Sequence, residues 1–270
     1  MSQLNKLSLV SYLAPNMFWF YTAVAAYINR VFSIKMQLVQ SEFDPLSDPQ
    51  LLEDRIDIAF ICGLPFIQRD RTVPNQLIAL VAPVMQAGRY QNRPVYFSDV
   101  IVNAQSQLKT FDDLAGKTLC YNDTGSNSGY NLLRHQLIQT QNPPNFFGKA
   151  FQSGSHQNSI QHVINCQADC AAIDSTVLEQ EIRNSPTLIN HLRVIESIGP
   201  CPMPPVVAAQ HLGSDFLQAL HSALLHPDPE LQAAMSEAQI QRFATVTSQD
   251  YNAIAQIYDR AIQAGYKIIS

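Results

Sequence analysis

Two six-residue stretches far apart in the chain decide the fold: IDIAFI at residues 56–61 and ADCAAI at residues 168–173. Each follows a segment typical of a helix, has the pattern of a buried strand, and leads into a polar or glycine-containing loop. Gly63 lies in the first loop, and Asp174 begins the second. The repetition predicts two α/β halves with matching strand-to-loop connections. Ligands of open α/β sheets bind beyond the carboxyl ends of the strands, so both loops are candidate sites.

The surrounding sequence supports two halves. Strand and helix patterns alternate over residues 7–62, and the alternation restarts over residues 95–183. Residues 197–205 are rich in glycine and proline and are predicted to form a stiff connector. Residues 206–264 follow, with a short strand and then amphipathic helices. We expect this helical tail to pack across another domain.

Length and composition exclude several classes of protein. The chain has 270 residues, 46% hydrophobic and 14% charged, which is enough apolar material for a packed core. Its net charge of −5 argues against a nucleic-acid binder. The longest nearly apolar stretch, residues 17–28, is shorter than the roughly 20 residues of a membrane span. No secretory signal pattern is recognised at the start, so we expect a cytoplasmic protein or a mature form.

The cysteines do not predict a disulfide framework or a metal site. There are five of them, an odd number, so at least one thiol is free. His162, Cys166 and Cys170 are spaced four residues apart, which would place three ligands on one helical face. The polar residues between Cys166 and Cys170 indicate that the helix ends there. The spacing therefore favours small core thiols, and no metal is expected.

The loop DTGSNSGY, residues 123–130, is the strongest local feature. It lies between a predicted strand and a predicted helix, where backbone N–H groups and the helix dipole favour an anion. The loop SGSH, residues 153–156, repeats this chemistry and adds an imidazole. An ordinary helix cap is the alternative in both places. Asp174 could likewise face a ligand or cap the next helix.

The sequence gives no positive case for an enzyme. It contains no G-x-S-x-G elbow, the loop at residues 125–129 lacks the P-loop lysine, and no G-x-G-x-x-G follows a strand. We therefore expect a non-enzymatic protein without a cofactor. The alternative left open is a cofactor-free synthase with Cys62 or His156 as the reactive group.

Several motifs together resemble a known family, the phosphate/phosphite/phosphonate-binding proteins of ABC importers, or PhnD-like solute receptors. The motifs are DLAGK at residues 113–117, SNSGY at 126–130, SGSH at 153–156 and AAIDS at 171–175, with CGLP at 62–65 and YFSD at 96–99 as further similarities. They run in the family's order from about residue 9 to 208.

The resemblance implies a type II periplasmic-binding-protein fold: two α/β lobes joined by two crossing strands, with a ligand cleft between them that closes by hinge motion. Lobe one would comprise residues 1–98 and 206–270, and lobe two residues 99–205. The crossings would fall near Ser98 and near Cys201.

The resemblance also implies the ligand-binding residues. In lobe two these are the oxyanion-binding helix start, a second anion loop and an acidic residue; in lobe one they are an aromatic and the opposing loop, with weaker candidates on the wall of the cleft. The set is Tyr12, Gly63, Pro65, Tyr96, Ser98, Ser126, Asn127, Ser128, Gly129, Ser155, His156 and Asp174. This chain has Phe66 where a hydroxyl-bearing aromatic is usual near the opposing loop.

None of these positions carries Lys or Arg, so neutral donors and helix termini would hold the anion. Asp174 would repel a fully ionised ligand but accept a hydrogen bond from a protonated phosphonate or phosphite, or from an ammonium group. This predicts discrimination against sulfate, which has no proton to offer at neutral pH.

The resemblance implies a monomeric receptor in the periplasm that binds a small phosphorus oxyanion, docks on an ABC permease, and has neither a nucleic-acid partner nor a membrane span. Two alternatives remain. The same fold could bind a sulfonate or a thiamine-pyrimidine precursor, since Tyr12, Trp19 or Phe66 would suit a ring. It could also serve as a cytoplasmic sensor.

Overall fold

The computed structural model describes residues 6–269, which divide into two compact units. Unit 1 comprises residues up to Val95 together with Pro202–Asn252. Unit 2 comprises Tyr96–Cys201 together with the residues from Ala253 onward. Each unit is built around its own β-sheet.

Strands and helices alternate through most of the chain. The strands are β1 (Lys6–Ser11), β2 (Lys35–Gln40), β3 (Ile58–Phe60), β4 (Leu77–Met85), β5 (Val95–Asn103), β6 (Thr118–Tyr121), β7 (Lys149–Gln152), β8 (Cys170–Asp174), β9 (Leu192–Pro202), β10 (Val206–Ala209) and β11 (Ile240–Thr245). The helices are α1 (Phe18–Phe32), α2 (Pro49–Leu52), α3 (Gly63–Thr72), α4 (Leu132–Gln139), α5 (His156–Ile164), α6 (Ser175–Asn184), α7 (Ser214–Leu225), α8 (Pro229–Glu237) and α9 (Asn252–Gln263).

Unit 1 contains a six-stranded sheet in the order β11-β4-β10-β3-β1-β2. Strands β2, β1 and β3 are parallel, whereas β10 runs antiparallel to both β3 and β4. All three residues of β3 are buried, as expected of a central strand covered on both faces. The carboxyl ends of β1 and β3 therefore lie side by side, and the Tyr12 N–H donates to the Phe60 carbonyl at 2.9 Å.

Unit 2 contains a five-stranded sheet in the order β7-β6-β8-β5-β9. Strands β7, β6 and β8 are parallel, and β5 runs antiparallel to β8. Every residue of β8 is buried. The loops that follow β6, β7 and β8 consequently leave one edge of the sheet, which is where the polar motifs lie.

The predicted repeat of two buried strands is confirmed, whereas the loop predicted to begin at Asp174 is wrong, because Asp174 ends β8 and α6 begins at Ser175. The motifs at residues 56–61 and 168–173 contain β3 and most of β8, and each strand leads into a ten-residue helix, α3 or α6. The helix after the first motif was not predicted, because residues 62–63 were interpreted as the start of a loop. Pro65 in the first turn of α3 is the signal that would have indicated it.

The predicted connector at residues 197–205 is wrong for residues 197–202. Residues up to Pro202 belong to β9, an eleven-residue strand. Pro200 and Pro202 can lie in this strand because β9 is at the edge of its sheet, where a missing N–H leaves no ladder bond unmade.

The unit boundaries also differ from the predicted lobes at the C-terminus. Residues 206–270 were assigned to lobe one, but the segment from Ala253 onward belongs to unit 2. Specific contacts explain the difference. The Tyr266 hydroxyl donates to the Asn142 carbonyl at 2.7 Å, and the Ile269 N–H donates to the Tyr130 hydroxyl at 2.9 Å.

The chain passes between the two units at three points within residues 6–269. The chain leaves unit 1 after Val95 and returns to it at Pro202, and it passes to unit 2 once more after Asn252. Within residues 6–269, no helix has both the length and the apolar character that crossing a membrane requires.

Candidate functional site

The loop after β6 forms the first helix start of unit 2. Ser126 caps the five-residue π-helical segment Asn127–Asn131, which continues into α4, and its hydroxyl oxygen accepts the Gly129 N–H at 3.0 Å. The first N–H groups of a helix have no partner within it, so this buried start presents backbone donors. Ser126, Asn127 and Ser128 are all at least nine-tenths buried. The predicted helix start is therefore present, and its binding of an anion stays a prediction.

Gly129 lies at a close approach inside this loop. A Cβ added at Gly129 would lie 1.8 Å from the Asn122 side-chain oxygen and 3.2 Å from the Ser126 hydroxyl. Any larger residue would displace the side chain that precedes the loop or the serine that caps the helix. Gly129 is thus a structural member of the predicted set.

The side chain of Asn127 is occupied by the protein. Its Nδ2 donates to the Tyr96 hydroxyl at 2.6 Å, and its Oδ1 accepts from Asn131 Nδ2 at 2.9 Å. Asn127 is fully buried, and Tyr96 is 2% exposed. Asn127 can therefore serve a ligand through its backbone N–H, while Tyr96 holds its side chain in place.

The loop after β7 forms the second helix start. The Ser155 hydroxyl caps α5 by accepting the Asn158 N–H at 3.0 Å. His156, the first residue of α5, bonds through Nε2 to the Ser128 hydroxyl at 3.1 Å. This hydrogen bond joins the two predicted anion loops. The Gly154 N–H adds a second link by donating to the Asn122 carbonyl at 3.0 Å.

The imidazole of His156 is buried, and only one of its two ring nitrogens has a hydrogen-bond partner among the described residues. The residue is 7% exposed, and its Nδ1 has no hydrogen-bond partner within residues 6–269. Burial lowers the pKa of His156 to about 4, so the ring is neutral at neutral pH. A buried ring nitrogen without a partner is costly, and a bound ligand or water would satisfy it.

Asp174 ends β8 and caps α6. Its Oδ1 accepts both the N–H of Thr176 at 2.8 Å and the hydroxyl of the same residue at 2.7 Å. Burial raises the pKa of Asp174 to about 6, and the charge of Asp99 adds to that rise. The alternative of a helix cap is therefore realised, and it does not remove the carboxylate from its buried position near the two loops.

Ser98 connects Asp174 to the first helix start. Ser98 is the ladder partner of Asp174 in the β5–β8 pair, and its hydroxyl donates to the Ser128 carbonyl at 2.7 Å. The structure thus joins Tyr96, Ser98, Asn127, Ser128 and His156 through hydrogen bonds, with Asp174 beside them in the sheet. Their contact with a ligand stays a prediction.

The predicted residues of lobe one lie in unit 1. Tyr12 follows β1, and its hydroxyl donates to Asp48 Oδ2 at 2.7 Å; burial, followed by this bond, raises the pKa of Tyr12. Gly63 and Pro65 are buried in the first turn of α3. Their role in ligand binding also stays a prediction.

The ring of Phe66 is fully buried and packs edge-to-face on Tyr251, with 5.3 Å between ring centroids. If residue 66 were a tyrosine, its hydroxyl would be buried in the core of unit 1. The departure from the family pattern is therefore a packing feature of unit 1.

Other candidates from the sequence have structural roles. His162 Nδ1 bonds to Gln167 Oε1 at 2.7 Å, Cys166 lies in a turn with φ of 56°, and Cys170 is buried in β8. Among the described residues, no cluster of three or more His, Cys, Asp or Glu side chains could hold a metal ion.

Sequence reasoning missed three residues that hydrogen-bond to predicted site residues or to each other. Asn131 donates to Asn127, Arg134 donates to Asn131, and Thr176 donates to Asp174. The Arg134 guanidinium donates through Nη2 to Asn131 Oδ1 at 2.8 Å. The spacing of three residues between them was a usable signal, since residues three apart are neighbours on a helix.

Comparison with known proteins places this geometry in context. A family model described as ABC transporter, phosphonate, periplasmic substrate-binding protein matches residues 10–251. Among solved structures, PhnD1 of Prochlorococcus marinus in complex with methylphosphonate has a TM-score of 0.83 and 17% identity, covering 97% of this chain and 100% of that one.

Two further structures are similar. A binding-protein component of an ABC phosphonate transporter from Pseudomonas aeruginosa has a TM-score of 0.82 and 17% identity, covering 97% of this chain and 89% of that one. The alkanesulfonate-binding protein SsuA of Xanthomonas axonopodis pv. citri, bound to MOPS, has a TM-score of 0.67 and 15% identity, covering 100% and 97%. These likenesses show the periplasmic-binding-protein fold that the sequence predicted.

Proposed function

Because the chain belongs to the family of periplasmic substrate-binding proteins of ABC phosphonate transporters, we propose that it binds a small phosphorus oxyanion at the two helix starts of unit 2. The candidate ligands are phosphonate, phosphite and phosphate. The receptor would pass its ligand to an ABC permease. Closure of a cleft between the lobes, the periplasmic location and the monomeric state remain predictions from the family resemblance.

One observation carries the choice of site. The buried Nδ1 of His156 has no partner among the described residues, and it belongs to an imidazole bonded to Ser128. Two helix starts, the capped segment at Asn127 and α5, meet at this hydrogen bond. Helix starts supply N–H donors and a favourable dipole for an anion, and a ligand oxygen would also satisfy the ring nitrogen.

The charge balance of the site favours a ligand that still carries a proton. The predicted contacts are neutral donors, and the one ionisable acid among them, Asp174, is buried with a pKa of about 6. A hydrogen phosphonate or phosphite can donate its hydroxyl to this carboxylate. Sulfate and sulfonates have no such proton at neutral pH, so Asp174 would repel them.

Isothermal titration calorimetry tests the proposal, with methylphosphonate, phosphite, phosphate and sulfate as ligands. We expect measurable affinity for at least one phosphorus oxyanion, and at least tenfold weaker binding of that ligand by His156→Gln. The matched control is His162→Gln, which places the same substitution later in α5 and should leave affinity within twofold. Equal binding by the two variants, or a preference for sulfate, would overturn the proposal.

A further inference from the structure

Arg134 is a buried cation behind the first helix start. It is 2% exposed, and its guanidinium carbon lies 5.2 Å from the Tyr130 ring centroid and 5.0 Å from that of Tyr258. Burial lowers the pKa of Arg134, but arginine remains protonated in proteins. The residue has no place among the predicted ligand contacts, so its burial needs another explanation.

A chain of side-chain hydrogen bonds leads from this cation to the anion loop. Arg134 donates to Asn131 Oδ1 at 2.8 Å, Asn131 donates to Asn127 Oδ1 at 2.9 Å, and Asn127 donates to the Tyr96 hydroxyl at 2.6 Å. Asn131 and Asn127 are fully buried. All three bonds point the same way, away from the guanidinium.

The direction of the chain follows from the chemistry of its first member. Arginine has N–H donors and no acceptor, so the amide facing it must present oxygen. That orientation leaves the Asn131 NH₂ to face Asn127, which must in turn present oxygen. The Asn127 NH₂ group then points at Tyr96. Bonds aligned in one direction also polarise one another.

We infer that Arg134 is a positioning residue that sets the polarity of the anion loop: it fixes the Asn131 and Asn127 amides so that Asn127 donates to the Tyr96 hydroxyl, which keeps its own proton for donation. With the amides reversed, the Asn127 oxygen would accept that proton, and Tyr96, a predicted ligand contact, would lose its role as a donor. This inference rests on the proposed function and deepens it. It explains how a site without Lys or Arg among its predicted contacts can still select an anion. The cation acts from behind the loop, through the orientation of two amides.

Conservative variants separate this role from packing. Arg134→Gln keeps much of the side chain but can donate or accept, so the amides become free to reverse. Arg134→Lys keeps a donor-only group and should rescue the orientation. Asn131→Asp keeps the acceptor for Arg134 but cannot donate to Asn127, so the Asn127 amide should flip. Arg183→Gln is the matched control, since Arg183 also donates to the amide oxygen three residues earlier, that of Gln180.

The probe is whichever of methylphosphonate, phosphite and phosphate the wild type binds most tightly in calorimetry, and thermal unfolding is recorded for every variant. We expect Arg134→Gln and Asn131→Asp to bind at least tenfold more weakly, with Arg134→Lys and Arg183→Gln within threefold of the wild type. Unchanged affinity in Asn131→Asp, or a Lys variant as weak as the Gln variant, would overturn the inference.

A second readout needs no ligand. Hydrogen exchange of the Asn127 side-chain amide, followed by NMR, should be at least tenfold faster in Arg134→Gln than in the wild type or in Arg134→Lys. Equal exchange rates would overturn the inference. If the wild type binds no phosphorus oxyanion, the proposed function fails, while this measurement still decides whether Arg134 orients the amides.

Discussion

The two strand-to-helix connections that repeat in the sequence have the same backbone plan and different chemistry. In unit 1, β3 leads through Cys62 into α3, whose first turn is buried and apolar, with no side-chain hydrogen bond from the cap. In unit 2, β8 leads through Asp174 into α6, and the carboxylate accepts two hydrogen bonds from Thr176. Pro65 helps explain the first case, because its missing N–H removes one donor that a cap would satisfy.

The two units also differ in which polar side chains they bury and in the partners of those side chains. Unit 1 buries Ser11, at the end of β1, and Asp48; the Ser11 hydroxyl accepts the Leu13 N–H, and Asp48 accepts from the Tyr12 hydroxyl. Unit 2 buries an imidazole, a carboxylate and several hydroxyls at the ends of neighbouring strands. Buried polar groups cost stability unless they gain partners, and the buried Nδ1 of His156 in unit 2 has none among residues 6–269.

The largest expected effect concerns His156. The pKa of His156 is about 4 in the folded state and 6.5 in the unfolded chain, so the unfolded chain binds the proton at the higher pH. The free energy of unfolding therefore decreases as pH falls from 6.5 to 4. Relative to the wild type, His156→Gln should gain about 3 kcal/mol of unfolding free energy over that interval. Urea denaturation at pH 4, 5 and 6.5 measures it; a difference that stays constant with pH would contradict the buried neutral ring.

Asp174 should show the opposite dependence. Its folded pKa of about 6 lies above the ordinary 3.8, so the folded state binds the proton first, and stability falls as pH rises from about 4 to 6. Asp174→Asn keeps a capping oxygen and should be more stable than the wild type by up to about 3 kcal/mol at pH 7.5. The advantage should shrink toward pH 4 in the same denaturation series, and an advantage that grows on acidification would be the wrong sign.

Glycine substitutions compare the two units directly. Gly129→Ala in unit 2 should cost about 1–3 kcal/mol, because its Cβ would overlap the Asn122 side chain. Gly88→Ala in unit 1 has open space around the new methyl group and should change stability by less than about 1 kcal/mol. Chemical denaturation of both proteins is the measurement, and equal costs would show that the loop yields without strain.

The smallest effect is expected at Tyr12. Removing its hydroxyl in Tyr12→Phe leaves Asp48 with the Gln50 N–H at 2.8 Å and the Ser41 hydroxyl at 3.3 Å, so about 1 kcal/mol of stability should be lost. If the role of the Tyr12 hydroxyl is to donate to Asp48 and not to a ligand, Tyr12→Phe should change the affinity for the oxyanion by less than threefold. Denaturation and calorimetry on the same variant distinguish the roles, and a tenfold loss of affinity would make Tyr12 a ligand contact.

Much of the fold could be predicted because its signals are local. The start of α2 is an example: Asp48, immediately before Pro49, accepts the Gln50 N–H as the cap of this helix. The repeated buried strands and the loop at residues 123–130 were likewise evident from residue types. These features depend on neighbours within a few positions, which periodicity and capping rules describe.

The remaining features depend on contacts that no local pattern encodes. Tyr96 meets Asn127 across 31 positions of the chain, and Tyr258 meets Arg134 across the fold. The alignment of Asn127 with Asn131 and Arg134 depends on a π-helical turn, which has no sequence signature. The edge position of β9, which makes its prolines tolerable, is also a property of the whole sheet.

The most direct test of the account is the ratio of affinities for methylphosphonate and methanesulfonate, measured by calorimetry at pH 7 on the wild type and on Asp174→Asn. The two ligands share size and shape and differ in whether an acidic hydroxyl remains to be donated. We expect the wild type to prefer methylphosphonate by at least a hundredfold, about 2.7 kcal/mol, and the variant by less than tenfold. Equal binding of the two ligands by the wild type would contradict the account.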